Sequence, residues 1–301
     1  MDMKYTNLGK VSLKISKIVA GCMAFGSKAS WGKWIIEDEE VFSILKRAFD
    51  LGIKTFETAN VYSNGQSEVL IGKFWKKCNI DRLKVVILSK LFYTVDESDP
   101  NFNPTHISNV QKYEYINRNG LSRTYIEVLQ IHRLDTETPK EEIMGALHDV
   151  VKNNQTRHIS ASSMRAVEFA QLQFITEKNR WTKFNSMLSF YNLLHPRLPE
   201  ESTKSVRGAN NGFASFLGLE TEADNKTIKR VKEIADKEDV SMAIVATAWI
   251  ISKRANPIVG FNSVKRVEKA AAAVKFKLTE EIEHLEEFYL PKKLPVLFES
   301  S

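Results

Sequence analysis

The stretch Val41-Phe42-Ser43-Ile44-Leu45-Lys46-Arg47-Ala48-Phe49-Asp50-Leu51-Gly52-Ile53-Lys54-Thr55-Phe56-Glu57-Thr58 reads as a helix that feeds a strand. Val41, Ile44, Leu45 and Ala48 recur at i, i+3, i+4 and i+7, which is one face of an α-helix. Leu51-Gly52 ends it, because glycine takes the left-handed C-terminal position without a Cβ clash. Lys54 to Thr58 follows as a strand, and Ile18-Val19-Ala20-Gly21 reads as the strand before the helix. Strand, helix and strand in that order imply two parallel strands joined by a helical crossover.

The same alternation extends along the chain. Helix Glu68–Lys77 is followed by strand Val85–Leu88, and strand Tyr125–Ile131 by helix Lys140–Asn153. Strand Arg157–Ser160, helix Ala166–Glu177 and strand Phe184–Ser189 come next. Helices Lys226–Lys237 and Ser241–Lys253 precede a last strand, Pro257–Gly260, and helices Val264–Val274 and Glu280–Glu287 close the chain. The expectation is an α/β protein, a parallel (β/α)8 TIM barrel, in one domain over residues 1–301. A doubly wound sheet announces its nucleotide site with G-x-G-x-x-G after the first strand. Gly21-Cys22-Met23-Ala24-Phe25-Gly26 does not fit that pattern. Two regions, 90–125 and 190–256, break the alternation, so the expected barrel is shortened by loss of a crossover helix and one strand.

Composition narrows the function classes. The net charge is +6, but Lys and Arg are interleaved with Glu and Asp, with no basic block of interleaved aromatics. That pattern argues for a solvated surface and against nucleic-acid binding. The two cysteines, Cys22 and Cys78, form no disulfide framework and suit a reducing cytoplasm. The start Met1-Asp2-Met3-Lys4 lacks the apolar run of a signal peptide. The apolar stretch Met242–Ile251 is far short of the roughly 18 residues a membrane helix needs, so no membrane association is expected. The six histidines are scattered, without H-E-x-x-H or C-x-x-C, and no metal site is expected.

In a parallel barrel, catalytic groups stand at the C-terminal ends of different strands. Four polar residues lie at such ends: Glu57, Tyr62 in the loop just after it, Lys90, and His132. Together they make an acid. A phenol near pKa 10 is a poor donor at neutral pH. A neighbouring ammonium favours the phenolate and lowers that value, a carboxylate holds the ammonium, and a histidine orients a carbonyl oxygen or relays a proton.

Phe56-Glu57-Thr58-Ala59-Asn60-Val61-Tyr62, then Ser67-Glu68 and Ile71-Gly72, resembles the aldo-keto reductase signature. Leu88-Ser89-Lys90 resembles that family's lysine strand, and Val128-Leu129-Gln130-Ile131-His132-Arg133 its histidine strand. The similarity runs from about Lys4 to Leu290 and is greatest to aryl-alcohol dehydrogenase-like members. The resemblance implies NADPH extended across the barrel mouth and a small aldehyde, ketone or alcohol as substrate. It also implies Tyr62 as proton donor, Lys90 and Glu57 as its tuners, and His132 as the group that orients substrate. Ser162 and Ser163 match the pair that holds the nicotinamide amide, and Gly260, Ser263, Lys265 and Arg266 match the segment that grips the adenosine 2′-phosphate. Gly21, at the end of the first strand, completes the candidate cofactor contacts. The phosphate segment also stands unaided: a strand, a glycine turn and a helix N-terminus offer free N–H groups and a helix dipole to an anion, and Arg266 can add a bidentate contact.

The chain departs from the family in four places. Position 57 is Glu instead of Asp, one methylene longer. Position 188 is Leu instead of Gln and cannot bond a carboxamide. After Gly120-Leu121-Ser122-Arg123 the strand begins almost at once, at Tyr125. After Tyr191-Asn192-Leu193-Leu194 the chain passes to His195-Pro196-Arg197, where relatives continue into a helix and a strand. Two functional readings follow: an active NADPH-dependent carbonyl reductase, or an impaired barrel that binds a cofactor or a partner without turnover. The sequence leaves the oligomeric state open.

Overall fold

The computed structural model describes residues 3–96, 99, 125–189, 191–193, 222–278 and 281–288. A short antiparallel hairpin, β1 (Tyr5–Asn7) and β2 (Lys14–Ser16), precedes the main sheet. That sheet contains β3 (Val19–Gly21), β4 (Thr55–Glu57), β5 (Val86–Leu91), β6 (Ile126–Ile131), β7 (Thr156–Ser162), β8 (Phe184–Leu188) and β9 (Ile258–Gly260). Its order is β8-β7-β6-β5-β4-β3-β9, and each neighbouring pair is parallel. The helices are α1 (Lys28–Trp31), α2 (Asp38–Asp50), α3 (Gln66–Lys77), α4 (Lys140–Lys152), α5 (Ala166–Asn179), α6 (Glu222–Lys237), α7 (Met242–Ser252), α8 (Val264–Ala273) and α9 (Glu281–Glu286).

The helix–strand unit read from residues 41–58 is present. The face Val41, Ile44, Leu45 and Ala48 of α2 is buried. It packs with Ile18, Ala20, Phe56, Ile87 and Phe261 in the main apolar cluster. A fully buried side chain of this size contributes about 1.5–3 kcal/mol, so this layer between sheet and helices supplies much of the drive to fold. Lys90 is a charge buried as deeply as these apolar side chains, and it demands partners.

Three elements differ from the sequence reading. The hairpin was not expected, because its strands are only three residues long and β1 is largely exposed. Leu8 and Ile15 from this region join Val19, Leu88 and Val128 in a second apolar cluster. Helix α1 was also not expected; its N-cap is Ser27, whose Oγ accepts the Ala29 N–H at 3.2 Å. Finally, β5 runs on past its apolar run to Leu91, because its ladder with β6 continues through Ser89–Leu129, Lys90–Gln130 and Leu91–Ile131. Lys90 therefore lies within a strand, clamped on both sides of its backbone.

Among the described residues the parallel sheet has seven strands, and β8 and β9 at its two ends do not pair. Met187 on β8 is 37% exposed and Ile258 on β9 is 36% exposed, as expected of edge positions. The expected missing crossover, around residues 104–123, lies outside the described residues, as does the segment 194–221 where the strand was expected to be absent.

Candidate active site

Because all seven strands run the same way, the C-terminal ends of β4, β5, β6, β7 and β9 share one rim of the sheet. Glu57 is the last residue of β4. The chain then coils tightly. The Tyr62 N–H donates to Ala59 O at 3.1 Å and the Asn64 N–H to Val61 O at 3.0 Å. Ser63, Asn64 and Gly65 all have positive φ, 48°, 51° and 87°. Asparagine and glycine tolerate that conformation, so the sequence Ser-Asn-Gly turns the chain back into α3. A Cβ at Gly26, whose φ is +156°, would fall 2.1 Å from the Ser63 Cβ, so only glycine lets the two turns touch.

The turn delivers Tyr62 to Lys90. Lys90 Nζ donates to Tyr62 Oη at 2.8 Å and to Thr58 O at 2.9 Å, and it forms an ion pair with Glu57 Oε1. An ammonium has three donors, and here each has a partner. The Glu57 side chain, for all its extra methylene, reaches Lys90. Lys90 is 2% exposed, Glu57 3% and Tyr62 7%, so the whole set is dry. Burial pushes the Lys90 ammonium well below the usual lysine range, with Cys22 acting in the opposite direction and nearby Arg133 adding to the lowering. Tyr62 Oη accepts from Lys90, which leaves the phenolic hydrogen to be given elsewhere.

His132 follows β6 directly, and its N–H donates to Leu91 O at 2.9 Å. Its ring stands edge-on to Tyr62 at 6.1 Å and to Tyr93 at 5.2 Å between centroids. Burial holds the imidazolium form well down, and the Lys90 and Arg133 charges reinforce this, so the ring is neutral. Its Nδ1 is buried with no partner. Trp31 packs edge-on to Tyr62 at 5.9 Å. The loop that carries Tyr93 is held to the Tyr62 turn by two asparagines. Asn60 Nδ2 donates to Tyr93 O at 2.9 Å and Asn64 Nδ2 to Asp99 O at 2.9 Å, while the Asp96 N–H donates to Asn64 Oδ1 at 3.0 Å.

The sequence reading did not single out Thr58, Asn60, Trp31 or Tyr93. Thr58 contributes a backbone oxygen, which carries no sequence signal. Asn60 lies inside the quoted motif, and its two-residue spacing from Tyr62 was the available clue. Trp31 ends the short helix α1 and Tyr93 lies in the loop after β5, and the placement of both against Tyr62 and His132 is fixed only in three dimensions.

The other candidates fall into two groups and one exception. Ser162 ends β7, buried, and Ser163 follows with φ 51° and its N–H on Leu188 O at 2.9 Å; their hydroxyls are 3.3 Å apart. Leu188, which ends β8 opposite Ser162, adds no side-chain hydrogen bond to this pair. Gly260 ends β9, and a Cβ there would meet nothing within 4 Å. Ser263 caps α8, its Oγ accepting the Arg266 N–H at 3.4 Å, with Lys265 and Arg266 in the first turn. Gly21 is the exception. It pairs with Glu57 on one side and Gly260 on the other, and a Cβ there would be 3.1 Å from Ile258 Cγ2. Its small size serves the close approach of β3 to β9.

Residues 17–289 match the model of the Aldo/keto reductase family. The chain is 40% identical to the versiconal hemiacetal acetate reductase of Aspergillus parasiticus, over 97% of this chain and 98% of that one. It is 39% identical, with the same coverage, to the Saccharomyces cerevisiae protein named "Putative aryl-alcohol dehydrogenase AAD16". The first alignment spans 339 positions against the 301 residues of this chain, so part of that relative has no counterpart here. In fold, a thermostable aldo-keto reductase solved with the inhibitor epalrestat superposes with a TM-score of 0.70 at 23% identity, over 95% of this chain and all of the other. A buried carboxylate, lysine and phenol at the rim of a parallel sheet, the family model over most of the length and relatives near 40% identity lead to one statement: this chain is an oxidoreductase of the aldo/keto reductase family.

Proposed function

We propose that the chain reduces aldehydes or ketones to alcohols with NADPH, or runs the reverse in the manner of an aryl-alcohol dehydrogenase, with Tyr62 as proton donor. The observation that carries this is the 2.8 Å bond from Lys90 Nζ to Tyr62 Oη inside a buried site closed by Glu57. The bound cofactor supplies the hydride. As negative charge forms on the carbonyl oxygen, Tyr62 gives up its phenolic proton, and the adjacent ammonium stabilises the phenolate left behind. Glu57 and Thr58 O hold that ammonium in place. His132, neutral, can donate a hydrogen bond to the same oxygen without competing for the proton. Trp31, Tyr93 and Tyr62 make an apolar, aromatic surround that excludes water and suits a flat substrate.

The residues present fit a dinucleotide phosphate. The α8 N-terminus presents backbone N–H groups beside Ser263, Lys265 and Arg266, and Gly260 leaves open space next to it. Lys265 and Arg266 favour NADPH over NADH. The buried, unpartnered Gln130 Oε1, two residues before His132, is an acceptor at the same rim. Free Cys22 and Cys78 suit a reducing, cytoplasmic setting.

Leu188, whose side chain cannot bond a carboxamide, favours a second reading, an impaired barrel that binds a cofactor or a partner without turnover. The test is NADPH-dependent aldehyde reduction by the unmodified protein and by Tyr62→Phe, with NADPH binding followed by fluorescence. Loss of turnover with binding intact is expected for Tyr62→Phe. Undiminished turnover in that variant refutes Tyr62 as donor. Saturable NADPH binding with no turnover in the unmodified protein leaves the second reading.

A further inference from the structure

Glu68 is the one acidic residue in the first turn of α3 and is 1% exposed. The chemistry above makes no use of it. Burying a carboxyl between a helix and a sheet costs several kcal/mol unless a partner offsets it, so its presence calls for a purpose. Its partner is Ser89, whose Oγ donates to Glu68 Oε1 at 2.5 Å. Ser89 is the residue before Lys90. Side chains alternate along a strand, so Ser89 faces the helix layer while Lys90 faces the opposite way, to Glu57 and Tyr62.

The neighbouring residue on α3 makes a matching tie. Ser67 Oγ donates to Cys22 O at 2.9 Å, and Thr58 Oγ1 lies 2.9 Å from the same Ser67 Oγ, so Thr58 is the donor of that second bond. Thr58 O in turn accepts from Lys90 Nζ. Consecutive helix residues project about 100° apart, and Ser67 and Glu68 use this to reach different strands. One fastens the end of β4 and the other fastens β5. The Ser67 N–H also donates to Tyr62 O at 3.3 Å, so the same helical turn holds the backbone of the proton donor.

We infer that Glu68, through Ser89, is a positioning residue that sets the distance between Lys90 on β5 and Tyr62 in the turn before α3. This rests on the reading of Tyr62 as proton donor. The role requires an acceptor at position 68 but no charge. Burial raises the Glu68 carboxyl to about 7, against the Ser89 hydrogen bond, so a large part of it is protonated at neutral pH. Gln presents the same acceptor and the same length, whereas Ala presents none.

The test combines a spectroscopic and a kinetic readout. Protein labelled with 13Cζ-tyrosine gives a Tyr62 resonance, assigned by its disappearance in Tyr62→Phe, whose titration midpoint reports the Lys90–Tyr62 pairing directly. In Glu68→Ala that midpoint is expected to rise by about one pH unit as the ammonium is displaced. The kcat is expected to fall roughly tenfold or more, since displacements of this kind near 1 Å cost up to about 100-fold, while NADPH affinity stays. Glu68→Gln is expected to keep both values near those of the unmodified protein. If Glu68→Ala does not fold, Ser89→Ala removes the same bond and is held to the same criteria. An unchanged midpoint and kcat in a folded Ala variant, or a Gln variant as impaired as Ala, overturns the inference. Retained turnover in Tyr62→Phe strikes the proton-donor reading instead, and the Tyr62 resonance still reads the positioning.

Discussion

Replacing Lys90 by Met keeps most of the side chain's length and volume and removes only the ammonium. The consequence for stability follows from its three contacts. Glu57 is 3% exposed and its ion-pair partner is Lys90. Removing one member of a buried pair leaves an uncompensated charge and typically costs about 3–5 kcal/mol. Thr58 O and Tyr62 Oη lose a donor as well. Glu57→Gln leaves the converse, a buried ammonium without its carboxylate. The double variant Glu57→Gln/Lys90→Met buries neither charge, and replacing a buried ion pair by neutral groups is often close to neutral. The expected result is two destabilised singles and a double within about 1–2 kcal/mol of the unmodified protein, a coupling of several kcal/mol. Urea unfolding followed by the fluorescence of the five tryptophans measures it. All three variants are expected to lose NADPH-dependent reduction, so the double is stable and inactive. A Lys90→Met protein within about 1 kcal/mol of the original, or single effects that simply add, refutes the reasoning that this pair is an electrostatic unit.

Two further outcomes follow from buried charges elsewhere. Glu68 is held near 7 in the folded protein against an ordinary 4.5, so the folded state binds more protons than the unfolded one between those values. Stability therefore falls as pH rises from about 4.5 to about 7, a penalty on the order of 3 kcal/mol that is absent below the lower value and complete above the upper one. Glu68→Gln is expected to flatten that part of the stability–pH curve and to gain most above pH 7; an unfolding series from pH 5 to 8 with identical slopes for both proteins would falsify this. At the opposite end of the sheet, Arg82 and Glu127 form a buried bidentate pair, and Glu127 Oε2 also accepts the Ile87 N–H at 2.8 Å. Arg82→Met should cost about 3–5 kcal/mol with KM for the carbonyl substrate unchanged, and a loss under about 1 kcal/mol in urea unfolding contradicts it.

Much of this protein is legible in the order of its amino acids alone, and the reason is locality. The buried face of α2 is written in the spacing of Val41, Ile44, Leu45 and Ala48, and the alternation of such helices with short apolar strands dictates parallel pairing. Glu57, Lys90 and His132 each sit at the end of, or late in, a strand that can be read by itself. In a parallel sheet those ends necessarily share one rim, so the sequence determined which residues could meet.

What the sequence could not determine is how far apart these groups lie. The extra methylene of Glu57 raised the question of whether it reaches Lys90, and the answer depends on the offset between β4 and β5, set by Glu57 pairing with Leu88. Thr58 became a ligand of Lys90 through its backbone oxygen, which no residue type announces. Gly21 reads as a cofactor contact by position; that it also lets β3 approach β9, where a Cβ would lie 3.1 Å from Ile258 Cγ2, depends on a residue more than two hundred positions away in the chain. Glu68 stands in the sequence inside the Ser67-Glu68 part of the family-like signature, at a helix start, where residue type alone does not show that it is buried. Only the packing of α3 on β5 buries it and brings Ser89 to its carboxyl. The residue types and their order fix the candidates; the distances among groups from different strands, on which proton transfer and charge burial depend, exist only after the sheet has assembled around them.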